Sequence, residues 1–170
     1  MESLIEHVGW WLCQRPAPST DRHIHANLTA IISRAGSQRA AARSLGIAES
    51  TLRGWLKGAK PKRSPQSIAA AARAWLSLGR YQAARGGSLT IIGVIKVSRD
   101  ERPRTIHVGR HIPRDVMGRI LTRWLRAEPD EKVEASIYRA IARYYTQDLS
   151  ISRITGVTFK HADQLQWSED

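Results

Sequence analysis

Apolar residues recur at helical spacing at the start of the chain, where Leu4, Val8, Trp11 and Leu12 share one face. The next stretch, QRPAPSTDR (residues 14–22), has the proline and serine content of a connector. Helical spacing returns at Leu28, Ile31 and Ile32 and stops at Gly36, and SQRAAARSLGIAESTLRGWLKG then carries two further short helices. After the basic loop AKPKR, Ser64-Pro65 predicts a helix start, a capping hydroxyl followed by proline in the first turn. That helix, with Trp75, Leu76 and Leu78, is expected to run to the Gly86-Gly87 break.

Beyond the break the period changes from helix to strand. LTIIGVIKVS and RTIHVGRHI are rich in β-formers and flank the polar segment RDERP, which predicts an antiparallel pair with RDERP as its turn. Pro113 opens a helix with Val116, Met117, Ile120, Leu121, Trp124 and Leu125 on one face. Pro129 opens another, with Asp130 and Glu131 in its first turn and Val133, Ile137, Ile141 and Tyr144 as its apolar stripe. A last strand, ISRITGVTF, precedes the tail. The fold class is therefore α+β. An N-terminal helix and connector (1–22) and an all-helical unit with a linker helix (23–87) precede a β-β-α-α-β domain with a small antiparallel sheet (88–170).

Charge adds a partner class to this picture. The net charge is +12 and the pI near 10.8, which favours a polyanion, because every phosphate contact releases counterions. Residues 1–87 hold 13 Lys/Arg against 4 Asp/Glu, whereas residues 88–170 hold 14 against 11, so the polyanion is expected mainly on the first half. A single cysteine, Cys13, excludes an internal disulfide framework and suits a reducing cytoplasm. The run SLIEHVGWWLC is too short, and too interrupted by Glu6 and His7, for a signal peptide or membrane span. A cytoplasmic, nucleoid-associated location without a membrane partner is the expectation.

The sharpest motif is a helix-turn-helix over residues 38–57. Ala42 is the small residue where the helices cross, Gly46 supplies a left-handed turn, and Ile47, Leu52 and Trp55 lock the second helix onto the first. Ser50, Thr51 and Arg53 then stand near the N-terminus of the second helix, positioned for base edges in the major groove. Gln38, Arg39, Lys57, Lys60, Lys62 and Arg63 are the matching phosphate contacts, and Glu49 is either an exposed residue or a capping acid.

Other constellations carry less. The His23–His25 pair in HIH has the metal-binding pattern of rolling-circle nucleases, with Tyr144-Tyr145 as nucleophiles, but that chemistry needs the histidines on a strand. His107 and His111 lack a third ligand, and Asp100, Glu101 and Asp115 form no two-metal carboxylate pair. Neither a phosphate-cradling loop nor a dinucleotide fingerprint is present, so no cofactor, no metal and no catalytic residue of the chain's own is expected. One segment stays unexplained. IKVSRDERPRTIHV (residues 95–108) sets two hydroxyls, Ser98 and Thr105, among Lys96, Arg99, Arg102 and Arg104.

Taken in order, these elements resemble the telomere-protecting terminal proteins of linear actinobacterial chromosomes and plasmids. The resemblance covers the N-terminal helix with RPAPSTDR, the helix-turn-helix, the hairpin leading into RTIHVGRHIPRDVMGRIL, and the closing ISRITGVTFKHADQLQW. It implies a protein joined covalently to the 5′ ends of linear DNA, whose hydroxyl replaces a primer terminus while a DNA polymerase fills the single-stranded 3′ overhang. The protein is then a substrate rather than an enzyme, and a separate telomere-associated protein recruits it. In that role Ser98 matches the linked residue first and Thr105 second, with a serine where the family has threonine. Lys96, Arg99, Arg102 and Arg104 hold the incoming triphosphate and the template end. The alternative from the residues themselves is a helix-turn-helix regulator, or a plasmid partition or replication-control protein, that forms a homodimer through its C-terminal domain.

Overall fold

Ser3 starts the first helix with a reciprocal cap. Its hydroxyl accepts from the Glu6 N–H at 3.3 Å and the Glu6 carboxylate accepts from the Ser3 N–H at 2.6 Å. This is a computed structural model, and it describes residues 3–19 and 24–160. Helix α1 (Leu4–Cys13) buries Leu4, Ile5, Val8, Leu12 and Cys13, and its first N–H is held by the Glu134 carboxylate at 2.7 Å. Helices α2 (Ile24–Ala35), α3 (Gln38–Leu45), α4 (Glu49–Leu56) and α5 (Pro65–Leu76) follow. Leu28, Ile31, Ala41, Ala42, Leu45, Leu52, Ile68 and Ala72 close around one apolar centre between them.

The predicted helix from Pro65 to Gly86 is two helices. Gly79, at φ +84, breaks the run and α6 (Arg80–Gly86) sets off in a new direction. Only this bend lets Tyr81 and Ala84 enter the larger core, while Leu78 is left 70% exposed at the corner.

An antiparallel sheet follows, with order β2-β1-β3, so that β1 (Ser88–Val97) lies between β2 (Asp100–Ile106) and β3 (Leu149–Lys160). Leu89, Ile91 and Ile95 of β1 are fully buried; Ile92 and Lys96, on the opposite face, are exposed. A short 3-10 turn (Val108–Arg110) and helices α7 (Arg114–Leu125) and α8 (Asp130–Tyr144) intervene before β3. Met117, Ile120, Leu121 and Trp124 of α7 and Val133, Ile137 and Ile141 of α8 meet the inner face of the sheet in one core, which α1 also joins. The described residues thus form an α+β fold of eight helices and a three-stranded antiparallel sheet.

Two details of the hairpin differ from the sequence expectation. RDERP is not the turn: Val97 pairs with Asp100, so Ser98 and Arg99 form a two-residue loop and β2 already includes Pro103. Ser98 takes φ +56, the left-handed conformation that so tight a loop requires. Proline and charges are tolerated because β2 is an edge strand, where an N–H directed outward has no ladder to serve. The second strand also stops at Ile106 instead of continuing through HVGRHI. Gly109 is pressed so closely on the start of β1 that a Cβ there would lie 2.2 Å from the Leu89 nitrogen.

Candidate nucleic-acid interface

The α3–α4 unit is built by local rules. Ser37 caps α3 by accepting from the Ala40 N–H at 3.1 Å, and Gly46 ends it at φ +65. The Ile47 N–H returns to the Ala42 carbonyl at 3.0 Å, which closes the turn. Ala42 is 2% exposed and Leu52 fully buried, with Ile47 and Trp55 packed partly against the same centre.

What remains outward on α4 is Ser50, Thr51, Arg53 and, after its last turn, Lys57, all exposed. Arg53 is folded onto Glu49 at 2.9 Å, an exposed i,i+4 pair worth only a few tenths of a kcal/mol and therefore cheap to release. Glu49 is not the cap; Ala48 occupies that position without a side-chain bond. Gln38, Arg39, Lys60, Lys62 and Arg63 are exposed as well. None of Arg39, Lys57, Lys60, Lys62 and Arg63 forms an ion pair with any described residue, so their charge is unspent.

The hairpin distributes its charges differently. Ser98 is exposed at the tip, and its N–H donates to the Asp148 carbonyl at 3.1 Å. Arg99 is beside it in the loop, and Lys96 is one residue pair back, opposite Glu101. Arg102 and Arg104 stand opposite Ile95 and Gly93, on the side of the sheet that the helices cover. Both engage Asp100, Arg102 at 3.3 Å and Arg104 through a short contact, so Asp100 answers part of their charge. Thr105 pairs with Ile92 near the far end of β2, exposed and remote from the tip. Of the two hydroxyls, Ser98 has as near neighbours along the chain Lys96 and Arg99, which form no ion pair with any described residue, whereas the arginines beside Thr105 are engaged by Asp100.

The weaker motifs resolve into ordinary contacts. His23 lies outside the described residues, and His25 is on helix α2, close to the Thr29 hydroxyl, not on a strand. His107 is 2.9 Å from the Thr90 hydroxyl, and His111 packs at a tilt against Tyr145 with ring centres 4.9 Å apart. Among the described residues no cluster of three or more His, Cys, Asp or Glu is arranged to hold a metal, and no helix is long and apolar enough to cross a membrane. Four arginines outside the expected site, Arg119, Arg123, Arg139 and Arg143, meet between α7 and α8. Their signal was legible as the repeated i,i+4 spacing in RILTR and RAIAR.

Comparison of the chain with protein-family models, curated proteins and solved structures finds no significant match.

Proposed function

We propose that the chain is a DNA-binding protein that reads duplex sequence through α4 and serves at the ends of a linear replicon as a protein primer. One observation carries the DNA-binding part. A tightly closed α3–α4 pair turns Ser50, Thr51 and Arg53 outward beside five cations that form no ion pair with any described residue. Such a unit lays its second helix in the major groove, with the flanking cations on phosphates.

The priming part rests on the resemblance and on the exposure of Ser98. Its Oγ attacks the α-phosphorus of a deoxynucleoside triphosphate. A serine–phosphate ester forms, the α–β phosphoanhydride breaks, pyrophosphate leaves and the hydroxyl proton passes to a base of the polymerase. Metals and general base belong to the polymerase, so the chain contributes an accessible hydroxyl and, from Lys96 and Arg99, charge beside it.

The test incubates the protein with labelled deoxynucleotide, polymerase and a telomeric single strand. Label that survives boiling in detergent and disappears in Ser98→Ala is the expected result, with Thr105→Ala retaining it. Uptake by both variants removes the hydroxyl assignment. The uncovered sheet face, where Ile92 is 37% exposed, favours a second reading: a regulator that pairs two copies through this surface. Absence of label, with a footprint on an internal palindrome, selects that reading.

A further inference from the structure

Helices α7 and α8 each carry two arginines one turn apart, Arg119 and Arg123 on the first, Arg139 and Arg143 on the second. All four line one open groove of about 360 Å³ between the helices, together with Ser136 and Tyr144. An i,i+4 step advances about 6 Å along a helix, so the groove is bordered by two short ladders of guanidinium groups.

The arginines are held there against their mutual repulsion. Arg123 Nη1 and Arg139 Nη2 both donate to the Ser136 hydroxyl oxygen, at 2.6 and 3.2 Å. Ser136, 9% exposed, spends its own proton on the Lys132 carbonyl at 2.9 Å. One neutral oxygen thus brings two cations together, and among the described residues the only carboxylate on either is Glu128, 2.8 Å from Arg123 Nε. Asp115 occupies Arg119 at 2.8 Å, in a pair exposed on both sides. Arg139 and Arg143 form no ion pair with any described residue, and Arg143 lies 5.4 Å from the centre of the Tyr144 ring. Four guanidiniums against two carboxylates leave the groove positive. An anion between the ladders relieves the repulsion, and the planar guanidinium fork matches the oxygens of a phosphate.

We infer that the α7–α8 groove binds nucleotide phosphate, supplied as the backbone of a single nucleic-acid strand, at a site separate from α4. A single strand is flexible enough to follow a groove between helices, and the Tyr144 ring offers a surface on which a base can stack. This goes beyond the helix-turn-helix and does not depend on it.

The experiment compares the wild-type chain with Arg139→Gln/Arg143→Gln, by anisotropy with a labelled oligothymidylate across a salt series and by calorimetry with a nucleoside triphosphate. For the double variant we expect about tenfold weaker oligonucleotide binding and a salt slope lower by roughly 1.4, from two lost phosphate contacts. Binding of a duplex operator, which α4 governs, stays unchanged. Loss confined to the triphosphate also supports the phosphate site and identifies the free nucleotide as its source. Equal affinity and slope for both probes overturn the inference. If the double variant melts early, the single variants Arg139→Gln and Arg143→Gln decide in the same assay.

Discussion

The guanidinium of Arg73 lies 5.0 Å from the centre of the Trp124 ring and donates from Nη1 to the Trp124 carbonyl at 2.7 Å. The same group donates from Nε to the Pro18 carbonyl at 2.6 Å and from Nη2 to Asp130 at 3.0 Å. Arg73 is 1% exposed. It leaves the helix-turn-helix unit through α5 and fastens the connector, α7 and α8 at one point, so a buried cation joins the two apolar cores.

Removing that cation strands three acceptors. Arg73→Met is expected to destabilise the chain by about 2–4 kcal/mol, from unpaired buried carbonyls and a lost buried charge partner. Asp130→Asn leaves both carbonyl bonds in place, and water can reach the 38% exposed position, so it should cost less than Arg73→Met although it takes the counter-charge from a buried guanidinium. Urea denaturation of both variants checks the ranking; an equal loss would mean that the ion pair, not the carbonyl bonds, dominates.

Burial in the core pushes the Cys13 thiol up from 9.0 to about 12, against the opposing pull of Arg73 and Arg15. The folded state therefore holds the proton more tightly than the unfolded chain does. The stabilisation is complete below pH 9 and is lost as pH rises from 9 towards 12. Cys13→Ala should flatten the alkaline fall in stability over that window. In the native wild-type chain at neutral pH, a thiol reagent should react no faster than the protein unfolds.

On DNA, the two groups of basic residues should separate by their signatures. Replacing Lys60 and Lys62 by alanine should weaken binding to all duplexes alike and lower the salt slope by about 1 for each lost phosphate contact. Arg53→Ala should instead relax discrimination at one base position, by roughly 1–3 kcal/mol. Binding titrations on matched and mismatched duplexes at several salt concentrations measure both. If Arg53→Ala weakens every duplex equally, Arg53 is a phosphate contact.

Two glycines should fail for different reasons. Gly46 has open space around it but φ +65, so Gly46→Ala should cost about 1–2 kcal/mol of backbone strain and loosen only the turn between α3 and α4. A Cβ on Gly93 would sit 2.1 Å from the Arg153 carbonyl oxygen, so Gly93→Ala must push β1 and β3 apart. Amide exchange in β3 should rise for Gly93→Ala and remain unchanged for Gly46→Ala.

Local chemistry was readable before any coordinates. The Ser64-Pro65 start, the left-handed Gly46 and the buried Leu52 follow from interactions within a few residues, and each is found where its spacing puts it. The alternating strand and the α+β class are of the same kind, because side-chain period records which face must leave water. The two-residue loop at Ser98 escaped because Pro103 and its charged neighbours look like a turn unless β2 is known to be an edge strand.

Periodicity identifies an apolar face but not what covers it. It gave no hint that α1 joins the sheet core, or that Gly79 turns α6 towards it. Nothing in the alanine-rich sequence around Arg73 sets it apart from an exposed cation; its burial needs Pro18, Trp124 and Asp130, which only the folded chain brings within hydrogen-bonding distance. The arginine pairs of α7 and α8 are plain in the sequence. That they share the Ser136 hydroxyl and one groove was decided by the packing of the two helices on the sheet, a contact that no local rule encodes.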